Sequence, residues 1–245
     1  MIKDINDFYF TEEDFETFKP EWQTNKELWL NNRRKDVQQE LLELHKQIYP
    51  KIKENGWNLW EHYNPKNITS LPYCHPRNNF KVNWLGIRYG QDPDIIKFMN
   101  QDKLPDDDGY SFLQFACIQV SVVNNGIDIA LFHSIPQNSF DRGYVHDHIN
   151  DSNFKTQLIN IVNELKGYDI QWDCNGHSFY FDDNPAEQFP IFYEKYDEYN
   201  TYSTCYVHIP MWDIRLQKDN IVNTIMYYIE LLYKLLEVVR WKKGK

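Results

Sequence analysis

The sequence predicts an α+β fold with a mixed, largely antiparallel sheet covered by helices, and three observations carry that prediction. Runs of β-branched and aromatic residues flank Asn125-Gly126, and a second pair of runs flanks Asn175-Gly176. An Asn-Gly pair between such runs is the strongest short-range hairpin signal. Apolar residues recur at helical spacing near 25–55, 152–166 and 219–240. The resulting order is helix, strands, helix, hairpin, helix, hairpin, strand, helix. Two tight hairpins make the sheet largely antiparallel or mixed, which argues for α+β rather than a doubly wound parallel fold.

Each element has a local reason. Residues 1–25 mix acids with Phe8, Tyr9, Phe10, Phe15, Phe18 and Trp22, and Thr11 with Glu13 and Asp14 predicts a short helix that Pro20 ends. From 25 to 55, Leu28, Val37, Leu41, Leu44, Ile48 and Ile52 share one helical face, and Gly56 is placed as a stop. Pro50 predicts a kink or a separate last turn, and Arg33, Arg34 and Lys35 read as a solvated face. Residues 57–63 suggest a short strand, and 64–79, with Pro65, Pro72 and Pro76, a loop. Residues 81–90 read as a strand, and Asp92-Pro93 opens a short helix. An acidic loop with Asp106, Asp107 and Asp108 leads into a central hairpin over 111–135. A type I′ turn at Asn125-Gly126 sets Val122 opposite Ile129, Val120 opposite Leu131 and Ile118 opposite His133, which leaves one face almost wholly apolar. Residues 137–150 read as irregular and polar. Asp151 or Ser152 caps a helix ending at Gly167, and Cys174 faces His177 across the second turn. Residues 182–200 read as an acidic, aromatic loop, 202–209 as a strand closed by Pro210, and Asp219 as the cap of a last helix rich in Ile and Leu.

The chain of 245 residues is long enough to bury a full core without staples. It reads as a single domain over 1–245. The best seam is near 64–79, between a mainly helical segment (1–63) and an α+β core (80–245). Aromatic residues make up 16% of it and only three alanines occur (Ala116, Ala130, Ala186), so large rings fill the core. A net charge of -10 argues against indiscriminate binding of nucleic acid, leaving only a local basic cleft, and suits an acidic surface for a basic protein. Cys74, Cys117, Cys174 and Cys205 are scattered, no leader precedes the charged start, and no apolar run approaches membrane-spanning length. A soluble, reduced, cytoplasmic protein with no membrane partner is the expectation.

Phosphate loops of the GxxxxGK[ST] and GxGxxG types, the GxSxG elbow and HExxH are absent. The chemistry-bearing feature is His146-Asp147-His148. On extended backbone His146 and His148 point the same way and ligate one divalent metal, with Asp147 on the other side. Asp147-His148-Ile149 also resembles the start of an HNH nuclease motif, without the hairpin that follows it in that family. Asp141 and Arg142 can orient a histidine or hold an anion. Cys174 with His177, and Asp182 with Asp183, are weaker ligand pairs. Two functions follow. The first is an interaction or recognition protein that takes a macromolecular partner, in the first place a protein, through aromatic and acidic segments, with Phe189, Phe192, Tyr193, Tyr196 and Tyr199 as contact anchors beside Asp141 and Arg142. The second is a metal-dependent hydrolase, a nuclease in its sharpest form, built on His146, His148 and Asp147. The first is preferred, and the sequence leaves open whether the chain is an enzyme.

Overall fold

The seven described strands form one sheet and pair antiparallel throughout, in the spatial order 60–61, 85–90, 117–123, 126–132, 203–210, 171–174 and 177–180. The computed structural model describes residues 7–62, 68–101, 111–133, 139–182, 184–198 and 201–242. Along the chain run α1 (Glu12–Glu16), α2 (Leu28–Glu54), β1 (Trp60–Glu61), β2 (Leu85–Gly90), α3 (Pro93–Met99), β3 (Cys117–Val123), β4 (Gly126–Phe132) and α4 (Phe140–His148). They are followed by α5 (Ser152–Glu164), β5 (Gln171–Cys174), β6 (His177–Tyr180), α6 (Pro185–Tyr196), β7 (Ser203–Pro210) and α7 (Ile221–Val239). The α+β class is therefore the observed one. None of the described helices is long and apolar enough to cross a membrane.

Alternation with period two divides the sheet into two faces. Leu85 and Ile87, Ile118, Val120 and Val122, Ile127, Ile129 and Leu131, and Val207 and Ile209 point to one side and are fully buried. Helix α7 packs on β3 and β4 there, α2 packs on β2, and α5 lies against α6 and α7. Phe8, Phe15 and Phe18 of the N-terminal segment belong to the same apolar cluster as the sheet and α7.

The central hairpin forms two residues away from its expected register. Val120 pairs with Ile129, Ile118 with Leu131, and Val123 with Gly126, so the turn residues are Asn124 and Asn125. Neither has positive φ, whereas Asn175 (φ 52°) and Gly176 (φ 77°) do and make the second hairpin as expected. Gly126 answers a different need: a Cβ there would lie 2.2 Å from the Ile209 carbonyl oxygen of β7. Because the shift is two residues, every side chain keeps its face.

Two expected loops are helices. Residues 140–148 form α4, capped by Ser139, whose Oγ accepts from the Arg142 N–H at 3.2 Å. Its buried face is Asp141, Arg142 and Val145, and that polarity hid the helical period. Residues 185–196 form α6, which starts at Pro185 and runs through Pro190. Helix α2 likewise runs on through Pro50. Arg34, expected in a solvated cluster, is fully buried. Its guanidinium donates to the carbonyls of Thr17 (3.1 Å), Trp22 (2.8 Å) and Asn25 (3.4 Å) and so fixes the turn before α2.

Candidate functional site: the open face of the sheet

The residues singled out in the sequence fall into a buried polar network at the end of the sheet. Arg142 and Asp197 form an ion pair with both side chains wholly inside (Nη2 to Oδ1 3.2 Å). His146 Nε2 is 3.1 Å from Asp197 Oδ2, and the remaining guanidinium N–H groups of Arg142 go to the carbonyls of Thr201 and Glu198. Burial pushes the Asp197 carboxyl up, but His146 and the charge of Arg142 outweigh it and hold it well below the usual carboxylate range. Cys174 Sγ lies 3.7 Å from Asp197 Oδ1. Burial, with the Asp197 charge, pushes its thiol up to about 12, so it is no nucleophile. Asp141 accepts from the backbone N–H groups of Ala116 and Trp241, and burial pushes its carboxyl up to about 6. Asp141 and Arg142 thus tie chain segments together inside the protein and do not face a ligand.

The expected metal pair does not form. His146 and His148 sit two apart on α4, and two helical residues lie about 200° apart around the axis, on opposite sides. His146 turns to Asp197, while His148 Nδ1 lies 2.8 Å from the Tyr144 carbonyl. Among the described residues no three His, Cys, Asp or Glu side chains gather as a metal site. Three of the expected aromatic anchors are internal, and Tyr196 is half-buried. Phe189, Phe192 and Tyr193 are buried core residues of α6, and Tyr196 stacks on His177 at 4.1 Å. Tyr199 and Asp183 lie outside the described residues.

Within the network His133 is fully buried. Its Nδ1 is 3.1 Å from the Tyr193 hydroxyl, while its Nε2 is buried without a hydrogen-bond partner among the described residues. Burial, helped by the charge of Arg142, lowers its pKa to about 4. The folded protein therefore keeps His133 neutral while the unfolded chain protonates near 6.5, so its contribution is intact above that value and is lost as pH falls from 6.5 to about 4. Burial raises Asp141 and Glu40, to about 6 and about 7, which acts in the opposite sense in acid. His133→Asn, which keeps an acceptor for Tyr193, isolates the histidine: urea midpoints at pH 7, 5.5 and 4.5 should fall more steeply for the natural protein than for the variant. Parallel curves would refute the assignment.

The face of the sheet opposite α2 and α7 is polar, with Gln119, Ser121 and Ala130 buried beneath half-exposed Trp84, Arg88, Asp128, Tyr206 and His208. Its rows follow from the register: Ser121, Asp128 and His208 lie side by side across β3, β4 and β7, and the next row is Arg88, Gln119, Ala130, Tyr206 and Gln171. The polar side chains are already linked. Arg88 Nε donates to Gln119 Oε1 (2.7 Å), Gln119 Nε2 to Ser121 Oγ (3.1 Å), and His208 Nδ1 meets Asp128 Oδ1 at 2.7 Å. The Arg88 guanidinium lies over the rings of Trp84 (5.1 Å) and Phe132 (5.4 Å). No carboxylate pairs with it among the described residues. Ala130, one of three alanines in the chain, leaves a gap in this rigid surface. A cavity of about 270 Å³ opens over it, walled by Trp84, Gln119, Phe132, Thr204 and Tyr206. A second, of about 480 Å³, continues along Asp128, His208 and Gln171 to Phe18, Pro20 and Gln23. Val123, Asp128 and Tyr206 line both, so the two cavities lie side by side on this face.

No protein-family model matches this chain, and no curated protein sequence is significantly similar to it. Gln119, Ser121 and Asp128 show in the sequence as the polar members of two alternating strands. Trp84, Arg88, Tyr206 and His208 join them only through the pairing of β2 and β7, which nothing local announces.

Proposed function

We propose that this chain is a recognition protein whose binding surface is the open face of the sheet, and that its occupant is a segment of a protein partner laid across the strands. The observation that carries this reading is the trough over Ala130, whose walls combine Trp84, Phe132 and Tyr206 with the prearranged polar groups Gln119, Ser121 and Asp128, Gln119 being held in turn by Arg88. Trp, Tyr and Arg are the residues that dominate binding energy in protein interfaces. A surface whose rotamers are already fixed loses little entropy when a partner docks. The partner supplies a side chain for the Ala130 gap and hydrogen-bond donors for Asp128. The preference for a macromolecular partner thus stays, while the anchors move from α6 to the sheet.

Asp128 and His208 form an acid–imidazole pair of the kind a general base uses. Ser121 stands on the far side of Asp128, so its Cα is two strand spacings, about 9–10 Å, from that of His208. The row therefore supplies a base without a nucleophile in reach, which favours recognition over covalent hydrolysis. The reading of a metal-dependent hydrolase on His146, His148 and Asp147 loses its geometric basis in α4.

The test is comparative affinity capture from the source cells. A protein held by the natural chain should be lost with Ala130→Phe, which fills the gap, and with Trp84→Ala, at unchanged circular dichroism. It should be kept with Ile191→Asp, on the exposed side of α6 (67% exposed). Full retention by both trough variants would overturn the proposal.

A further inference from the structure

A second cleft, separate from the trough, lies between α1, the 17–25 turn and α2. It measures about 610 Å³ and is lined by Glu13, Glu16, Thr17, Trp22, Trp29, Asn32, Arg33 and Asp36. Trp22 and Trp29 meet at a near right angle (ring centroids 5.6 Å apart, planes at 82°) and form an indole corner. Trp29 is 53% exposed, an unusual placement for so large a ring. The backbone that carries Trp22 and the indole of Trp29 each have a polar tether. Buried Arg34 grips the Trp22 carbonyl, and the Trp29 indole N–H donates to Glu27. The carboxylates of Glu13, Glu16 and Asp36 surround the corner. Arg33, on the cleft wall, lies 2.8 Å from the buried carboxylate of Asp14 and 3.9 Å from Glu13, and Lys19 pairs with Glu16, which leaves Asp36 as the lining carboxylate with no ion pair among the described residues.

We infer that this cleft seats a lysine or arginine side chain of a basic polypeptide, its cation against the faces of Trp22 and Trp29 and its charge met by Asp36. Indole is the best aromatic partner for a cation, and the attraction grows as the cation is desolvated between two rings. The net charge of -10 adds long-range attraction for a basic partner. Arg34 explains why the corner is preformed: three carbonyl contacts fix the turn that carries Trp22. This inference is independent of the trough on the sheet.

A tetralysine peptide with blocked ends, titrated into the full chain, tests it. Calorimetry gives the affinity, and the indole N–H signals of the 8 tryptophans report the place. The expected result is shifts concentrated on Trp22 and Trp29, with the affinity about tenfold weaker in Trp29→Ala and also weaker in Asp36→Asn. Trp29 and Asp36 are exposed on α2, so both variants should fold. An affinity unchanged by Trp29→Ala would mean that the peptide follows net charge alone. That result, an absence of binding, or shifts spread evenly over the other indoles would overturn the inference.

Discussion

Asp197→Ala is expected to destabilise the protein by about 3–5 kcal/mol, the cost of breaking a buried ion pair from one side. Arg142 has a fully buried side chain, and Asp197 is its carboxylate partner. The carbonyls of Thr201 and Glu198 accept from the guanidinium but cannot neutralise it. His146, 3.1 Å from the same carboxylate, loses that contact as well. Removing both charges avoids the stranded ion, so Arg142→Met with Asp197→Leu should cost clearly less than the two single changes added together. Urea unfolding at pH 7 measures all three. A loss below about 1 kcal/mol for Asp197→Ala, a typical surface value, would mean that the pair is hydrated and not internal.

The sequence discloses the fold where the signals are local and apolar. The period of α2, α5 and α7, the caps at Asp92 and Asp151, and the positive-φ turn at Asn175-Gly176 all operate within a few residues. It misleads where tertiary contacts reassign a residue. Asn125-Gly126 carries the signature of a type I′ turn, yet Gly126 is spent on close approach to Ile209. Helix α4 looks like a polar loop because its inward face is Asp141 and Arg142, whose partners Asp197, Ala116 and Trp241 are distant in sequence. The aromatic density of 189–196 suggests surface anchors, whereas α6 turns Phe189 and Tyr193 onto Trp172.

The candidate site was less legible than the fold for the same physical reason. A trough on a sheet is made by strands brought together from separate parts of the chain. Ala130 becomes a gap only beside Tyr206, and Arg88 becomes a fixed cation only between Trp84 and Phe132. Strand alternation marks which residues point outward. It does not say that β7 will sit beside β4. The Trp22–Trp29 corner is hidden in another way, because Arg34 reads as one of three surface cations until its carbonyl partners are seen.

Leu131→Ala is expected to cost about 2–5 kcal/mol, as large-to-small changes do in a core that cannot collapse. Leu131 is fully buried at the centre of the sheet, between Ile118 of β3 and Cys205 of β7 and in one core with α7. The residual cavity would be walled by paired backbone on both sides, which limits relaxation. Ile191→Ala, on the exposed side of α6, should stay within about 0.5 kcal/mol and serves as the surface reference. The size of the loss shows that Leu131 faces inward, but a register shifted by two would give the same answer. Double-mutant cycles separate the two. In the observed pairing Leu131 lies directly opposite Ile118, with Val120 on the diagonal, and direct neighbours couple more strongly than diagonal ones. Ile118→Val and Val120→Ala, each combined with Leu131→Ala, should therefore give the larger interaction energy per deleted methyl with Ile118. A larger value with Val120 would restore the type I′ register and move the turn back to Asn125-Gly126.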